Sequence, residues 1–405
     1  MKNRVTIAIV IIVSIIGGYI AYRLYQNNRV KNAVKLVEHQ KEVEIYQDIK
    51  LKSLITKING KIIENQTINA TKLGEQEVHF EYITDENIRV PYTIKINVVD
   101  KTPPIVAQPS IHTITVSSQT KKELEQSLFC GDNYDTNPKC TIEGNYDLNQ
   151  VGDYFVKLVA KDSSENITTH SFTLRVKEKS SSNRTGTSTP KTYTDFETVK
   201  ENYKKKNTKI GIDISHWQGD IDFEKVKESG VEFVYIRVGR GDGIGKDYVL
   251  DKKFKQNIKG FNKVGIPVGV YFYSNANSRE DAIKEAKWVL SQIRRYKVDL
   301  EVVFDWENWQ YFQEYDQSFY SLTEMAKAFV ETVEKKGYKG MLYSSKNYLE
   351  NIWFSNNMPV WLAHYTEQTN YKGKYQVWQI CNDGKVEGIK EPVDINVMYT
   401  SSKKQ

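Results

Sequence analysis

The pattern of apolar and polar positions divides the chain into three parts. Residues 5–21, VTIAIVIIVSIIGGYIA, form an apolar run without a charge, edged by Tyr22 and Tyr25. A bilayer span needs roughly 17–25 such residues, so the run predicts a transmembrane helix over 5–25. Between 43 and 177 an alternation of period two takes over, as in EVHFEYI, YTIKINVVD, DYFVKLVAKD and FTLRVK, and predicts short half-buried strands. From Lys209 the style changes again. KIGIDIS, FVYIRVG, IPVGVYFYS, EVVFDWE and GMLYSS alternate with helix-period segments, and PVWLAHY, YQVWQI and VDINVMY follow with short connections. Eight strands with helices thinning toward the end predict an irregular (β/α)8-like barrel.

The expected fold class is therefore α/β: a C-terminal barrel, two small all-β sandwich domains and an N-terminal transmembrane helix. The expected organisation is a cytoplasmic N-terminus (1–4), the transmembrane helix (5–25), a stalk (26–42), one β module (43–100), a second (101–177), a linker (178–208), the barrel (209–400) and a tail (401–405). The linker is assigned by its Ser/Thr/Lys-rich composition, with a short helix expected near Asp195–Lys205. For 5–25 a cleaved signal peptide is the competing reading. No A-x-A site follows the run, which favours an uncleaved anchor. Local charge does not fix the orientation, because Lys2 and Arg4 on one side face Arg23, Arg29, Lys31 and Lys35 on the other. The expected location is the cell membrane, single-pass, with the barrel outside.

The two β stretches read as diverged copies. Each has a glycine opening a strand (Gly74, Gly152), a polar turn with Asn (85–87, 162–166) and a last strand, and Asp100-Lys-Thr-Pro-Pro104 joins them. They resemble the immunoglobulin-like modules of bacterial surface proteins. That resemblance implies seven-stranded sandwiches used as spacers, with cell-envelope proteins as candidate partners.

Composition narrows the field. The 57 basic and 51 acidic residues leave a mild net charge of +6 with no basic stripe, so nucleic acid is not an expected partner. Of three cysteines, Cys130 and Cys140 are close enough to form a disulfide in an exported protein, and Cys381 follows an apolar strand and reads as core. There is no CxxC pair and no HExxH, the six histidines are dispersed, and GDNYDTNP (131–138) lacks EF-hand spacing. No metal or cofactor is expected.

The chemistry concentrates in VVFDWENW (302–309). A buried strand ends there in Asp305 and Glu307, which at positions i and i+2 share a face with Cα atoms roughly 6.5 Å apart. Two acids beside Trp306 and Trp309 fit glycoside hydrolysis, one acid donating a proton and the other staying ionised. Asp213 ends the first strand and the last carries Asp394, so four carboxylates from three strands can converge on one mouth. Tyr271, Tyr273, Trp361, Tyr365 and Trp378 on neighbouring strands then suggest a sugar cleft. Two other readings stand beside this one: a non-catalytic wall-binding or scaffold protein with a relict barrel, and a cysteine endopeptidase using Cys381.

GIDISHWQG (211–219), FVYIRVGRGDG, GVYFYS, VVFDWENW, PVWLAHY, VWQI and VDINVMY, in that order, resemble glycoside hydrolase family 25, the lysozymes of the Chalaropsis type. The resemblance spans roughly 209–400. It implies hydrolysis of the β-1,4 bond between N-acetylmuramic acid and N-acetylglucosamine in peptidoglycan. It further implies Glu307 as proton donor, Asp305 orienting the substrate's acetamido group, and Asp213 and Asp394 as supporting acids. One departure is Phe272, where many relatives carry His, expected to alter the cleft wall.

Overall fold

The computed structural model describes residues 2–34, 36–179, 193–354 and 357–403, of which 2–12, 311 and 401–403 are described by their backbone alone. The expected bilayer span lies on the helix Lys2–Ala33. Among the described residues no helix is long and apolar enough to cross a membrane. The first part of the expected span, 5–12, falls outside the described side chains.

The first β module begins at Val37, inside the expected stalk. A strand Glu42–Glu44 runs parallel to Arg89–Val99, which pairs antiparallel with Gly74–Thr84, which pairs with Gly60–Ile62; Val37–His39 pairs with Ile55–Ile58. The second module repeats this connectivity. Ile111–Thr115 runs parallel to Ile167–Lys177, which pairs with Gly152–Lys161 and through it with Lys139–Glu143, while Ile105–Val106 pairs with Cys130–Gly131. A short helix follows the second strand region in each copy, Leu51–Leu54 and Lys121–Ser127. Alternation dictates the cores: Val156, Leu158 and Ala160 share one buried face of the sheet with Phe172, Leu174 and Val176 of the neighbouring strand. Each module is thus a four-stranded sheet with small two-stranded pairs beside it: two in the first module, where Ile49–Lys50 also pairs with Thr67–Ile68, and one in the second, so that the copies carry eight and six strands where seven were expected.

The C-terminal part is a closed barrel. Its strands are β1 (Thr208–Ile214), β2 (Val234–Gly241), β3 (Val268–Tyr273), β4 (Val302–Asp305), β5 (Gly340–Ser345), β6 (Val360–Ala363), β7 (Tyr375–Lys385) and β8 (Val393–Lys403). β1 to β7 are parallel in sequence order, and β8 closes the ring antiparallel to both β7 and β1. Helices α1 (Phe223–Glu228), α2 (Phe254–Val264), α3 (Arg279–Ile293), α4 (Phe319–Glu334) and α5 (Lys346–Asn351) cover the first five strands. α2 shows why: Phe254, Ile258 and Phe261 are buried at helical spacing, and Gly265 ends the helix in the left-handed region at φ 77°.

Two segments expected outside the barrel belong to it. Thr194–Asp195 adds to the edge of β7, and the helix Phe196–Tyr203, capped by Asp195, buries Phe196 and Val199 in the barrel core. The rest of the expected linker, 180–192, lies outside the described residues. β8 runs on to Lys403 through most of the expected tail.

Alternation also sorts each strand's side chains between two cores. Val268, Val270 and Phe272 of β3 face the helices, while Tyr271 joins Phe233, Tyr235, Val303, Met341 and Trp361 inside the barrel. Phe272 therefore packs on Trp288 (ring centroids 5.5 Å) and Tyr248 (6.0 Å) behind the sheet. It does not form the cleft wall expected of it.

Candidate active site

Asp213, Asp305, Glu307 and Asp394 line one cavity of about 90 Å³ together with Tyr271, Tyr343, Trp361 and Gln379. Asp213 and Asp305 stand at the carboxyl ends of parallel strands, where barrel chemistry is placed. Asp394 stands near the start of β8, but β8 is antiparallel, and its register sets Asp394 directly against Asp213. β4 stops at Asp305, and Glu307 lies beyond it on the segment leading to a 3-10 stretch, Trp309–Tyr315.

The acids differ in their partners. Asp213 Oδ2 accepts from Asn396 Nδ2 (2.8 Å) and Gln379 Nε2 (2.9 Å), and the same Nε2 also donates to Asp394 Oδ2 (3.2 Å). Asn396 is held in turn by the Trp361 indole (2.8 Å), and Gln379 Oε1 accepts from the hydroxyls of Tyr343 (2.9 Å) and Tyr365 (3.1 Å). Asp305 is buried, and its Oδ1 has no hydrogen-bond partner among the described residues. Glu307 reaches solvent at the mouth.

Four acids in one mouth cannot all ionise cheaply. Burial, partly offset by bonds from Asn396 and Gln379, lifts Asp213 to about 6. Burial and the charge of Asp213 lift Asp394 to about 9. Asp305 is pushed well above the carboxylate range by burial, then by Glu307 and Asp213, against the pull of Arg237. Glu307 is raised by desolvation within the cleft and by Asp213.

The expected aromatic set separates. Trp361 is 2% exposed and forms the floor, stacked on Tyr235 at 4.6 Å with Tyr343 and Tyr271 against its edges at 5.0 and 6.1 Å. Trp378 is 3% exposed and faces the other way, in the outer core, its indole bound to His364 O and its ring against Tyr203. It is a packing residue and cannot stack on a sugar in the cleft. Tyr273 is half-buried on the β3 position paired with Asp305, and Tyr365 is 52% exposed at the rim. Trp306 and Trp309 are also buried, in an aromatic cluster behind the mouth. Cys130 and Cys140 are joined in a disulfide. Cys381 is buried with its thiol pushed up to about 11, so it is not a nucleophile at neutral pH.

Several residues escaped the sequence reading. Gln379, Asn396 and Arg237 are polar positions inside apolar strands, a signal in itself, because a buried polar group needs a partner. Arg237 and His216 both bind buried Asp251. Burial opposes ionisation of Asp251, but bonds from Lys253 and His216 and the charge of Arg237 hold its pKa below the usual value. That network fixes the turn His216–Gln218 just after Asp213, where Ser215 caps the turn and Gln218 ties it to Pro392 O. The turn displays Trp217, 70% exposed and against the His216 ring at 4.5 Å. Behind Asp305, Glu285 of α3 is buried and accepts from Ser274 Oγ and Asn275 N; Ser274 N donates to Asp305 O, and Asn308 Nδ2 donates to Ser274 O.

Residues 212–389 match the model of Glycosyl hydrolases family 25. An autolytic lysozyme of Clostridium acetobutylicum is 30% identical over 189 residues, covering 46% of this chain and 54% of that protein. The YegX protein of Escherichia coli K12 is 27% identical over 197 residues, covering 46% of this chain and 68% of that one. A family 25 glycosyl hydrolase structure from Bacillus anthracis aligns with 23% identity at a TM-score of 0.43, over 53% of this chain and 95% of that chain. The chain thus spans about half the length of the autolytic lysozyme it matches.

Proposed function

We propose that this chain, through its family 25 glycosyl hydrolase domain, is a peptidoglycan hydrolase that cleaves the β-1,4 bond between N-acetylmuramic acid and N-acetylglucosamine. The observation that carries the reading is the cleft itself: four carboxyl groups on one barrel mouth, held apart in character by their partners. Glu307, with its raised pKa and its solvent-facing position, is the proton donor to the leaving oxygen. Asp305 offers Oδ1 to the N–H of the substrate's acetamido group. That bond favours ionised Asp305, so the proton shared within the coupled pair resides on Glu307 when substrate is bound. The oriented acetamido oxygen then attacks the anomeric carbon as the bond to the leaving oxygen breaks, and a water molecule that gives its proton to Glu307 opens the resulting ring at that carbon, leaving the reducing end. Asp213 and Asp394, bridged by Gln379, set the charge of the cleft and hold its far wall. Trp217 and Tyr365 are the exposed aromatics of the rim and supply stacking faces for the glycan.

The uncharged run 5–21 supports a chain that works at the outer face of a membrane, held there by that run. The test uses the full chain beside Glu307→Gln on purified peptidoglycan, with mass spectrometry of the released fragments. Fragments ending in reducing N-acetylmuramic acid, absent with the variant, are expected. Reducing N-acetylglucosamine would move the cut to the other bond, and no fragments from any wall would leave a wall-binding protein.

A further inference from the structure

The segment that carries Glu307 into α4 has little rigidity of its own. It is a 3-10 stretch, whose hydrogen bonds are poorer than those of an α-helix, and it ends at Asp316 in the left-handed region at φ 51°. Its order comes from its neighbours: Trp306 Nε1 donates to Ala276 O (3.2 Å) and Asn308 Nδ2 to Ser274 O (3.0 Å) at its start, and beyond these it is held by aromatic packing. Trp309 stacks on Tyr348 at 3.9 Å, Trp306 meets Trp309 at 4.9 Å, and Phe312 meets Phe319 at 5.6 Å.

One ring of this cluster comes from the second β module. Phe129 lies 5.5 Å from Phe312, 6.2 Å from Phe319 in a parallel stack, 6.4 Å from Trp309 and 6.5 Å from Tyr348. The residues after it continue the contact through backbone. Phe319 N donates to Asp132 O (2.8 Å) and Tyr320 N to Asn133 O (3.3 Å), so two first-turn N–H groups of α4, which have no partner within the helix, are satisfied by the module. Thr136 Oγ1 donates to Asp316 Oδ1 (2.8 Å). At Gly131 an added Cβ would lie 2.6 Å from Phe319 and 2.8 Å from Phe312, so the backbone approaches as closely as it can.

The module's side of the contact is stiff. The Cys130–Cys140 disulfide closes the loop. Within it Asp132 Oδ1 accepts from Tyr134 N (2.9 Å) and Asp135 N (2.8 Å), and Ser163 Oγ donates to Asp135 (2.7 Å). A rigid loop therefore lies against a weakly self-supported segment two residues downstream of Glu307.

We propose that residues 129–136 of the second β module brace the Glu307-bearing segment, so that this module is a working part of the hydrolase rather than a spacer, with Phe129 as its positioning residue. The inference rests on the hydrolase reading for its consequence but not for its geometry, and the test separates the two. Hydrogen exchange is measured on the full chain, wild type beside Phe129→Ala, Phe129→Leu and Gly131→Val, with kcat and KM on peptidoglycan. The expected result is faster exchange across 306–320 in Phe129→Ala and Gly131→Val, with the amides of Gly152–Lys161 still protected, which shows that the module remains folded. Because small misplacements of a reacting group are expensive, kcat should fall roughly tenfold with KM within about twofold. Phe129→Leu, which keeps an apolar plug, should recover most of both. Unchanged exchange at 306–320 in Phe129→Ala overturns the brace whether or not the wild type hydrolyses anything. Faster exchange with unchanged kcat overturns the positioning role. A wild type that releases no fragments counts against the hydrolase reading alone, and the exchange data then decide the brace.

Discussion

Glu285 offers a test of the scaffold behind the mouth. It sits on the buried stripe of α3, 2% exposed, accepting from Ser274 Oγ at 2.5 Å and from Asn275 N at 3.0 Å. Burial dominates its titration and, against those bonds, lifts its pKa from 4.5 to about 8. Below pH 4.5 the group is neutral in both folded and unfolded chains and carries no penalty. Between 4.5 and about 8 the unfolded chain releases the proton and the folded one keeps it, so stability falls as pH rises. Above about 8 the loss is complete. At about 1.4 kcal/mol per tenfold change in proton affinity, the span amounts to roughly 5 kcal/mol, a ceiling that local relaxation lowers. Glu285→Gln keeps the shape and the neutral character: its Oε1 accepts from Asn275 N and its Nε2 donates to Ser274 Oγ. The variant should match the wild type near pH 4.5 and exceed it by about 3–5 kcal/mol near pH 9. Comparing the two proteins cancels the contributions of Asp213 and Asp394. The assay is urea unfolding followed by tryptophan fluorescence, since all 7 tryptophans lie between Trp217 and Trp378 and report the barrel alone. Parallel pH–stability curves for the two proteins between pH 5 and 9 would refute the reasoning. So would a variant less stable than the wild type at pH 9.

Two further outcomes bear on the cleft. Asp213→Asn removes a negative charge that holds the Glu307 proton, so the alkaline limb of the pH–rate profile should move to lower pH; a shift to higher pH would show that the two groups are not coupled as the geometry implies. Trp217→Ala should raise KM about three- to tenfold while kcat stays near the wild type, as loss of one stacking face predicts; unaltered retention on insoluble peptidoglycan would remove Trp217 from the binding surface.

The sequence by itself determined the order and kind of the elements. All eight barrel strands fall where apolar runs of strand length were read, because a strand packed on both faces has no freedom to be polar. The repeat in the β modules was legible for the same reason: alternation of period two states which residues face a core, and the copies prove to share strand connectivity as well. The acids at strand ends were legible because a carboxylate abruptly following a buried run needs a reason to be there.

Relations between strands were decided only by the tertiary structure. Whether Trp361 or Trp378 faces the cleft depends on the parity of each strand against its neighbours. The register pairs Leu362 with Trp378 on the outer face and Trp361 with Val377 on the inner. The same parity turns Phe272 away from the cleft. Asp394 reaches the mouth from the beginning of its strand because β8 runs antiparallel, a direction that eight similar apolar runs do not encode. Phe129 and the loop after it lie about 180 residues before the segment they contact, and nothing local distinguishes a phenylalanine that packs its own module from one that packs another. Glu285 could be read only as an ordinary helix acid until packing buried it. A side chain's type is fixed by the chain, but its dielectric surroundings, and with them its charge, are set by what folds against it.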